Sequence, residues 1–103
     1  MVIAQRILKI NDDARQLDVP VRLYLPIHKG DHWQCEYEIV WPDRTRRHLA
    51  RGHDSLQALL LAMQMVGAEI YASEAHRSGK LKSEGRNRGY GFPSFGQRDD
   101  GED

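Results

Sequence analysis

Histidine and cysteine side chains are the first candidates for chemistry in this chain, because both can bind zinc. His28, His32 and Cys35 lie close together in the sequence, and His48 and His53 follow. Their spacing matches none of the paired-ligand patterns that structural zinc sites use. We therefore expect no metal site and no cofactor.

Cys35 is the only cysteine, so the chain cannot form an internal disulfide, which fits a reducing compartment. It alternates with Trp33 and Tyr37 in a strand pattern, and this parity places its thiol in the core. Arg6 and Lys9 interrupt the apolar start of the chain, which is unlike a signal peptide. The sequence predicts a cytoplasmic protein with an inert core thiol.

A serine nucleophile is the next candidate, because Ser55 follows Asp54 and His53. Neighbours in sequence do not build a catalytic triad, which needs convergence in space. Asp54 and Gln57 have the spacing of a capping box, so this segment is more typical of a helix start. There is also no nucleophile elbow, no phosphate loop and no pair of carboxylates on one predicted face. We expect that the protein is not an enzyme.

An aromatic segment at residues 88–95, RGYGFPSF, resembles the octamer with which RNA-recognition motifs stack bases. In that fold a helix and a further strand follow the octamer, whereas only eight polar residues follow it here. Pro93 also removes a backbone donor from the would-be strand. We expect no specific RNA binding, since such a cluster more often docks a tail onto its own domain.

Four arginines form a basic cluster before the predicted helix: Arg44, Arg46, Arg47 and Arg51. Arginines in a row can bind phosphates, so weak nucleic-acid binding through this cluster and the tail aromatics is an alternative function. Charges on an edge strand also prevent aggregation, and the whole chain has a formal net charge of +0. We favour the edge-strand interpretation.

The element that must organise these residues is a helix predicted over residues 54–72. One apolar stripe with helical spacing is predicted to be its core face: Leu56, Leu59, Leu60, Met63, Gly67, Ile70 and Tyr71. Gly67 in this stripe is expected to admit a bulky neighbour, Trp33 or Trp41. The apolar part is too short for a membrane span, and Glu69 interrupts it.

A second helix face is also largely apolar, and it is the predicted interface: Gln57, Leu61, Gln64, Met65 and Ala68. Soluble monomers seldom expose a large contiguous apolar patch. Either the segment around Gly91-Phe92-Pro93 folds back over this face or a second copy of the chain covers it. We favour a homodimer slightly.

Four strands are predicted before the helix, at residues 2–10, 19–27, 33–41 and 45–51, with a polar loop at 11–18. Pro20 and Pro26 place the second strand at an edge or give it an irregular end. Short connections favour an antiparallel meander. We predict an α+β fold in which a four-stranded meander carries one long helix across one face. Residues 1–93 form this single domain, and residues 94–103 form a disordered acidic tail.

Several short motifs occur together in this chain: Trp33-x-Cys35-x-Tyr37-x-Ile39, Gly52-x-Asp54-Ser55-x-Gln57-Ala58-Leu59, Gly67 and Gly91-Phe92-Pro93. Over residues 19–93 they resemble a family of small bacterial proteins of unknown function. The resemblance implies a sheet-plus-helix domain with no assigned activity, cofactor or catalytic residue. The chain departs from the family at Ser83-Glu84, where such proteins often keep an aromatic residue.

The function expected from the sequence is a non-enzymatic interaction module that binds another protein or a second copy of itself. Nucleic-acid binding through the basic cluster is the alternative, and an enzyme acting on an unknown small molecule is third. The sequence does not identify the partner.

Overall fold

The computed structural model describes residues 1–83 and 89–94 of the chain. The described part is α+β, as predicted, but its sheet has six strands rather than four. The elements in chain order are β1 (Val2–Asp12), β2 (Arg15–Tyr24), β3 (Ile27–Lys29), β4 (His32–Val40), β5 (Thr45–Gly52), α1 (Ser55–Tyr71), α2 (Glu74–Arg77) and β6 (Leu81–Ser83).

β4 is the strand on which the antiparallel sheet is built. β5 pairs with residues 33–40 of β4 on one side, whereas β2 and β3 share the other side. Beyond β2 the sheet continues through β1 to β6. β6 was not expected, because it has only three residues and carries no alternating pattern of its own. β3 begins at Ile27, the last residue of the predicted second strand, which the structure interrupts at residues 25–26.

The loop predicted at residues 11–18 is wrong, because both flanking strands continue into it. Asn11 pairs with Gln16, and Asp12 pairs with Arg15. The turn between them places Asp13 at φ 55°, a left-handed conformation that Asp tolerates better than most residues. The polar composition of residues 11–18 therefore led to a predicted loop where β1 and β2 form a long hairpin.

β2 is not an edge strand, since it lies between β1 and β4. Its pairing with β4 is limited to Val21–Leu23. Pro20 precedes this short stretch and Pro26 follows it, and neither has a backbone N–H to donate. The two prolines therefore flank the short pairing with β4. Of the two predicted alternatives, an edge strand and a strand with an irregular end, the structure has the second.

The predicted core stripe of α1 is correct at Gly67 and Ile70 but wrong at Leu56 and Leu60. The buried residues of the helix are mostly small: Ala58, Ala62, Val66, Gly67 and Ile70. Leu56 and Leu60, which the stripe placed in the core, are 74% and 43% exposed.

The physical reason is a close contact between α1 and the end of β5. A Cβ atom added to Gly52 would lie 2.5 Å from the backbone nitrogen of Ala58. Helix and strand backbones approach so closely here that only small side chains fit between them. Because α1 is apolar around most of its circumference, its periodicity did not reveal which side is buried.

α1 packs over β4 and β5, so it leaves the core side of β1 and β2 to another cover. Leu8, Val19 and Val21 on these strands are nevertheless buried. The C-terminal residues Tyr90 and Phe92 join the same core cluster. Within residues 1–83 and 89–94, no helix is long and apolar enough to cross a membrane.

The phase of α1 can be tested with two alanine variants. Ile70→Ala should lower the free energy of unfolding by about 2–5 kcal/mol, because Ile70 is fully buried. Leu56→Ala should change it by less than about 0.5 kcal/mol, because this side chain lies mostly in water. Urea unfolding of both variants gives the comparison. A loss of similar size for Leu56→Ala would restore the predicted stripe, which contains both residues.

Candidate functional site

A buried hydrogen bond ties the helix to the central strand. The hydroxyl of Tyr37, on β4, donates to the Glu69 carboxylate on α1, and Arg46 Nε donates to Glu69 Oε1 at 3.1 Å. Burial, followed by the hydrogen bond to Glu69, raises the pKa of Tyr37 above its usual value. The Tyr37 hydroxyl therefore stays protonated and donates its proton to Glu69 in a hydrogen bond. This arrangement favours a structural role for Tyr37 over acid–base chemistry.

The four arginines of the basic cluster do not form one row. Arg46 lies on the side of β5 that α1 covers, whereas Arg47 and Arg51 lie on the opposite side of the strand, since side chains alternate. Three of the four are in ion pairs with nearby carboxylates: Arg44 with Asp43, Arg46 with Glu69, and Arg47 with Glu36 and Glu38. A phosphate would have to compete with these carboxylates.

The uncovered face of the sheet carries a charged row that sequence reasoning missed. Arg22, Glu38 and Arg47 lie directly opposite one another on β2, β4 and β5. Glu38 is only 8% exposed, and its carboxylate is 2.7 Å from Arg22 Nη1 and 3.5 Å from Arg47 Nη1. The alternation of Glu36 and Glu38 with core residues was the available signal. The guanidinium of Arg47 is therefore already engaged in ion pairs within the sheet.

The predicted interface on α1 is not an open apolar face. Leu61 and Met65 are partly buried against the core. Gln64 Nε2 donates to the carbonyl oxygen of Ser94 at 3.1 Å. Gln57 takes part in capping the helix: its N–H donates to the predicted N-cap Asp54, and its side-chain oxygen accepts from the N–H of His53 rather than of Asp54. Of the five predicted residues only Ala68 is exposed, and the other four are partly buried.

The C-terminal segment Gly89–Ser94 docks beside α1. Gly67 faces it, since a Cβ there would meet Phe92 Cβ and the Pro93 oxygen, each at 3.3 Å. The neighbour of Gly67 is therefore the segment Gly89–Ser94 and not Trp33 or Trp41, which the sequence predicted. Tyr90 and Phe92 are buried, so they do not form the exposed stacking surface of an RNA-recognition motif. Phe95 and the rest of the predicted acidic tail lie outside the described residues.

Arg6 and His76 hold the same segment from two sides. Arg6 Nη1 donates to the carbonyl oxygen of Tyr90 at 2.6 Å, and its guanidinium lies 5.4 Å from the centre of the Phe92 ring. His76 Nδ1 is 2.7 Å from the Tyr90 hydroxyl. The Gly91-Phe92-Pro93 segment is thus part of the domain.

Cys35 is fully buried, as its parity predicted, and its thiol is free. Its Sγ lies 3.4 Å from the carbonyl oxygen of Tyr24, and burial raises the pKa of the thiol. Across residues 1–83 and 89–94, no three His, Cys, Asp or Glu side chains are grouped so that they could hold a metal ion.

The structure reveals an apolar end of the domain that the sequence did not predict. β1 and α1 begin there, and β2 and β5 end there, as shown by the pairs Val2–Tyr24 and Trp33–Gly52. Met1 and Leu25 are also joined by a backbone hydrogen bond of 2.8 Å. Seven of the nine exposed large hydrophobic residues of the described chain lie at this apolar end: Met1, Val2, Ile3, Leu25, Ile27, Leu56 and Leu60.

A family model described as a domain of unknown function (DUF6968) matches residues 4–94. The chain belongs to this family. The matched range contains the sheet from residue 4 onward, both helices and the docked segment. The contact between Gly89–Ser94 and α1 therefore lies within the DUF6968 domain. Searches of curated proteins and of solved structures gave no match. Membership of an uncharacterised family is therefore confirmed, and a bacterial origin stays a prediction.

The fastening role of Tyr37 in this DUF6968 domain can be tested with a double-mutant cycle. Glu69→Ala should cost about 1–3 kcal/mol, because it leaves the buried Tyr37 hydroxyl without its acceptor. Once Tyr37→Phe has removed that hydroxyl, the same change should cost less, with a coupling energy of at least about 0.5 kcal/mol. Denaturant unfolding of the four proteins measures it. Additive losses would show that the hydrogen bond contributes nothing to stability.

Proposed function

We propose that this domain is a non-enzymatic, cytoplasmic interaction module that self-associates through its apolar end. The observation that supports the proposal is the concentration of exposed aliphatic side chains at one end of the sheet. Scattered exposed hydrophobic residues are normal on a protein surface, whereas clustered ones are typical of interaction sites.

The apolar end offers a favourable free energy of association. Fully burying one Leu or Ile side chain contributes about 1.5–3 kcal/mol, and Leu56 is 74% exposed. Leu60 lies one helical turn further along α1, Leu25 directly follows β2, and Ile27 begins β3. Together these side chains can form the apolar centre of an interface with a polar rim.

A second copy is the partner we propose. The chain has a formal net charge of +0 when its histidines are neutral, so two copies do not repel each other through net charge. Homo-oligomers are most often two-fold dimers, in which one patch meets its own copy. The buried, unpaired Cys35 supports the cytoplasmic part of the proposal, because a lone thiol suits a reducing compartment.

The apolar end is favoured over the two surfaces that the sequence suggested. Leu61 and Met65 of the predicted helix face already pack against the core, so they have less surface left to bury. The ion pairs of Arg44, Arg46 and Arg47 weaken the case for nucleic-acid binding.

Sedimentation velocity tests the proposal with a matched pair of variants. Wild type should form dimers at high concentration. Leu56→Glu should raise the dissociation constant by at least about tenfold, equivalent to about 1.4 kcal/mol, because it places a charge in the apolar centre. Ala68→Glu is the control, since it adds the same charge to an exposed position of the same helix.

Two results would contradict the proposal. The first is a wild-type protein that stays monomeric at every accessible concentration. The second is a dimer that Ala68→Glu disrupts and Leu56→Glu does not, which would return the interface to the face containing Leu61 and Met65. Raising the salt concentration should leave the dimer largely intact, whereas phosphate binding weakens steeply as salt rises.

A further inference from the structure

Three of the five histidines lie at the apolar end. His28 on β3 is opposite Trp33 on β4, and their rings stack with centroids 4.9 Å apart. Trp33 is in turn opposite Gly52, and His53 follows directly. His32 opens β4 and is paired with Lys29. The strand register therefore brings the three imidazoles to the end of the sheet that carries the exposed aliphatic side chains.

The charged groups around these histidines nearly balance while the imidazoles are neutral. Lys29 of β3 and Arg51 of β5 are positive. Asp31 lies 2.8 Å from His32 Nδ1, and Asp54 at the start of α1 lies 3.6 Å from His53 Nε2. These four side chains carry two charges of each sign, and the amino group of Met1 at the apolar end adds one positive charge. Protonation of all three histidines would therefore add three further positive charges to the apolar end.

One of these imidazoles has a buried nitrogen atom. The Nε2 atom of His32 is buried and has no hydrogen-bond partner among the described residues. A proton added there would create a charged donor without an acceptor in the described chain, which is unfavourable when a partner also excludes water.

We propose that protonation of His28, His32 and His53 dissociates the self-associated form, so that the apolar end is a pH-controlled interface. This inference rests on the proposed self-association. Histidine is the side chain that ordinarily changes charge between about pH 5 and 8. As pH falls, each separated copy gains positive charge at the surface that association would bury.

The direction of the effect follows from linkage. A group that takes up a proton in the separated chains but not in the complex makes association weaker as pH falls. The whole-chain charge acts in the same direction, because five protonated histidines would change the formal net charge from +0 to +5. A control histidine outside the apolar end is therefore needed. It separates the effect of the three histidines at the apolar end from the effect of the whole-chain charge.

The experiment is sedimentation of the full chain at about pH 7.5 and about pH 5.5. We expect the wild-type dissociation constant to rise by at least about tenfold at the lower pH. A triple variant, His28→Gln with His32→Gln and His53→Gln, should lose most of this rise. His48→Gln is the matched control, because His48 lies mid-strand opposite Tyr37, and it should retain the rise. The three single variants, each checked by circular dichroism, cover the case in which the triple variant does not fold.

The outcomes separate the two proposals. A dimer of equal strength at both pH values contradicts the pH-controlled interface and leaves self-association standing. The pH-controlled interface is equally contradicted if the single and triple variants keep the wild-type pH dependence or if His48→Gln removes it. A monomer at both pH values contradicts self-association itself, and the inference with it.

Discussion

The close approach of α1 to β5 is the constraint on which the rest of the structure depends. With no Cβ at Gly52, the first turns of the helix lie against the strand, and Ala58 and Ala62 then fill the narrow space. This contact fixes the rotation of α1 and turns Leu56 and Leu60 away from the core. It also holds the helix over β4 and β5, so that half of the sheet needs another cover.

The docked C-terminal segment supplies that cover. Phe92 and Pro93 approach the helix at Gly67, while Arg6 reaches from β1 to the backbone of Tyr90. Because α1 and the docked segment cover one face of the sheet, the other face can lie towards water. On that face Glu38 forms ion pairs with Arg22 and Arg47. Most of the exposed aliphatic surface is then at the apolar end, which is why we place the interface there.

The sequence predicted the parts that depend on local patterns. Alternation identified four of the strands and the burial of Cys35, and the spacing of Asp54 and Gln57 identified the start of α1. It did not predict the phase of α1, because Leu, Met and Ala surround the helix and only the tertiary contact at Gly52 selects a side. The apolar end was missed for the same reason, since the predicted stripe placed Leu56 and Leu60 in the core.

Methyl NMR spectra recorded over a range of protein concentrations test most directly where the chain associates. We expect concentration-dependent shifts for Leu25, Ile27, Leu56 and Leu60, because the proposed interface buries these side chains. Methyl signals of Leu61 and Met65 should stay constant. Shifts confined to Leu61 and Met65, or spectra that do not change with concentration, would contradict association through the apolar end.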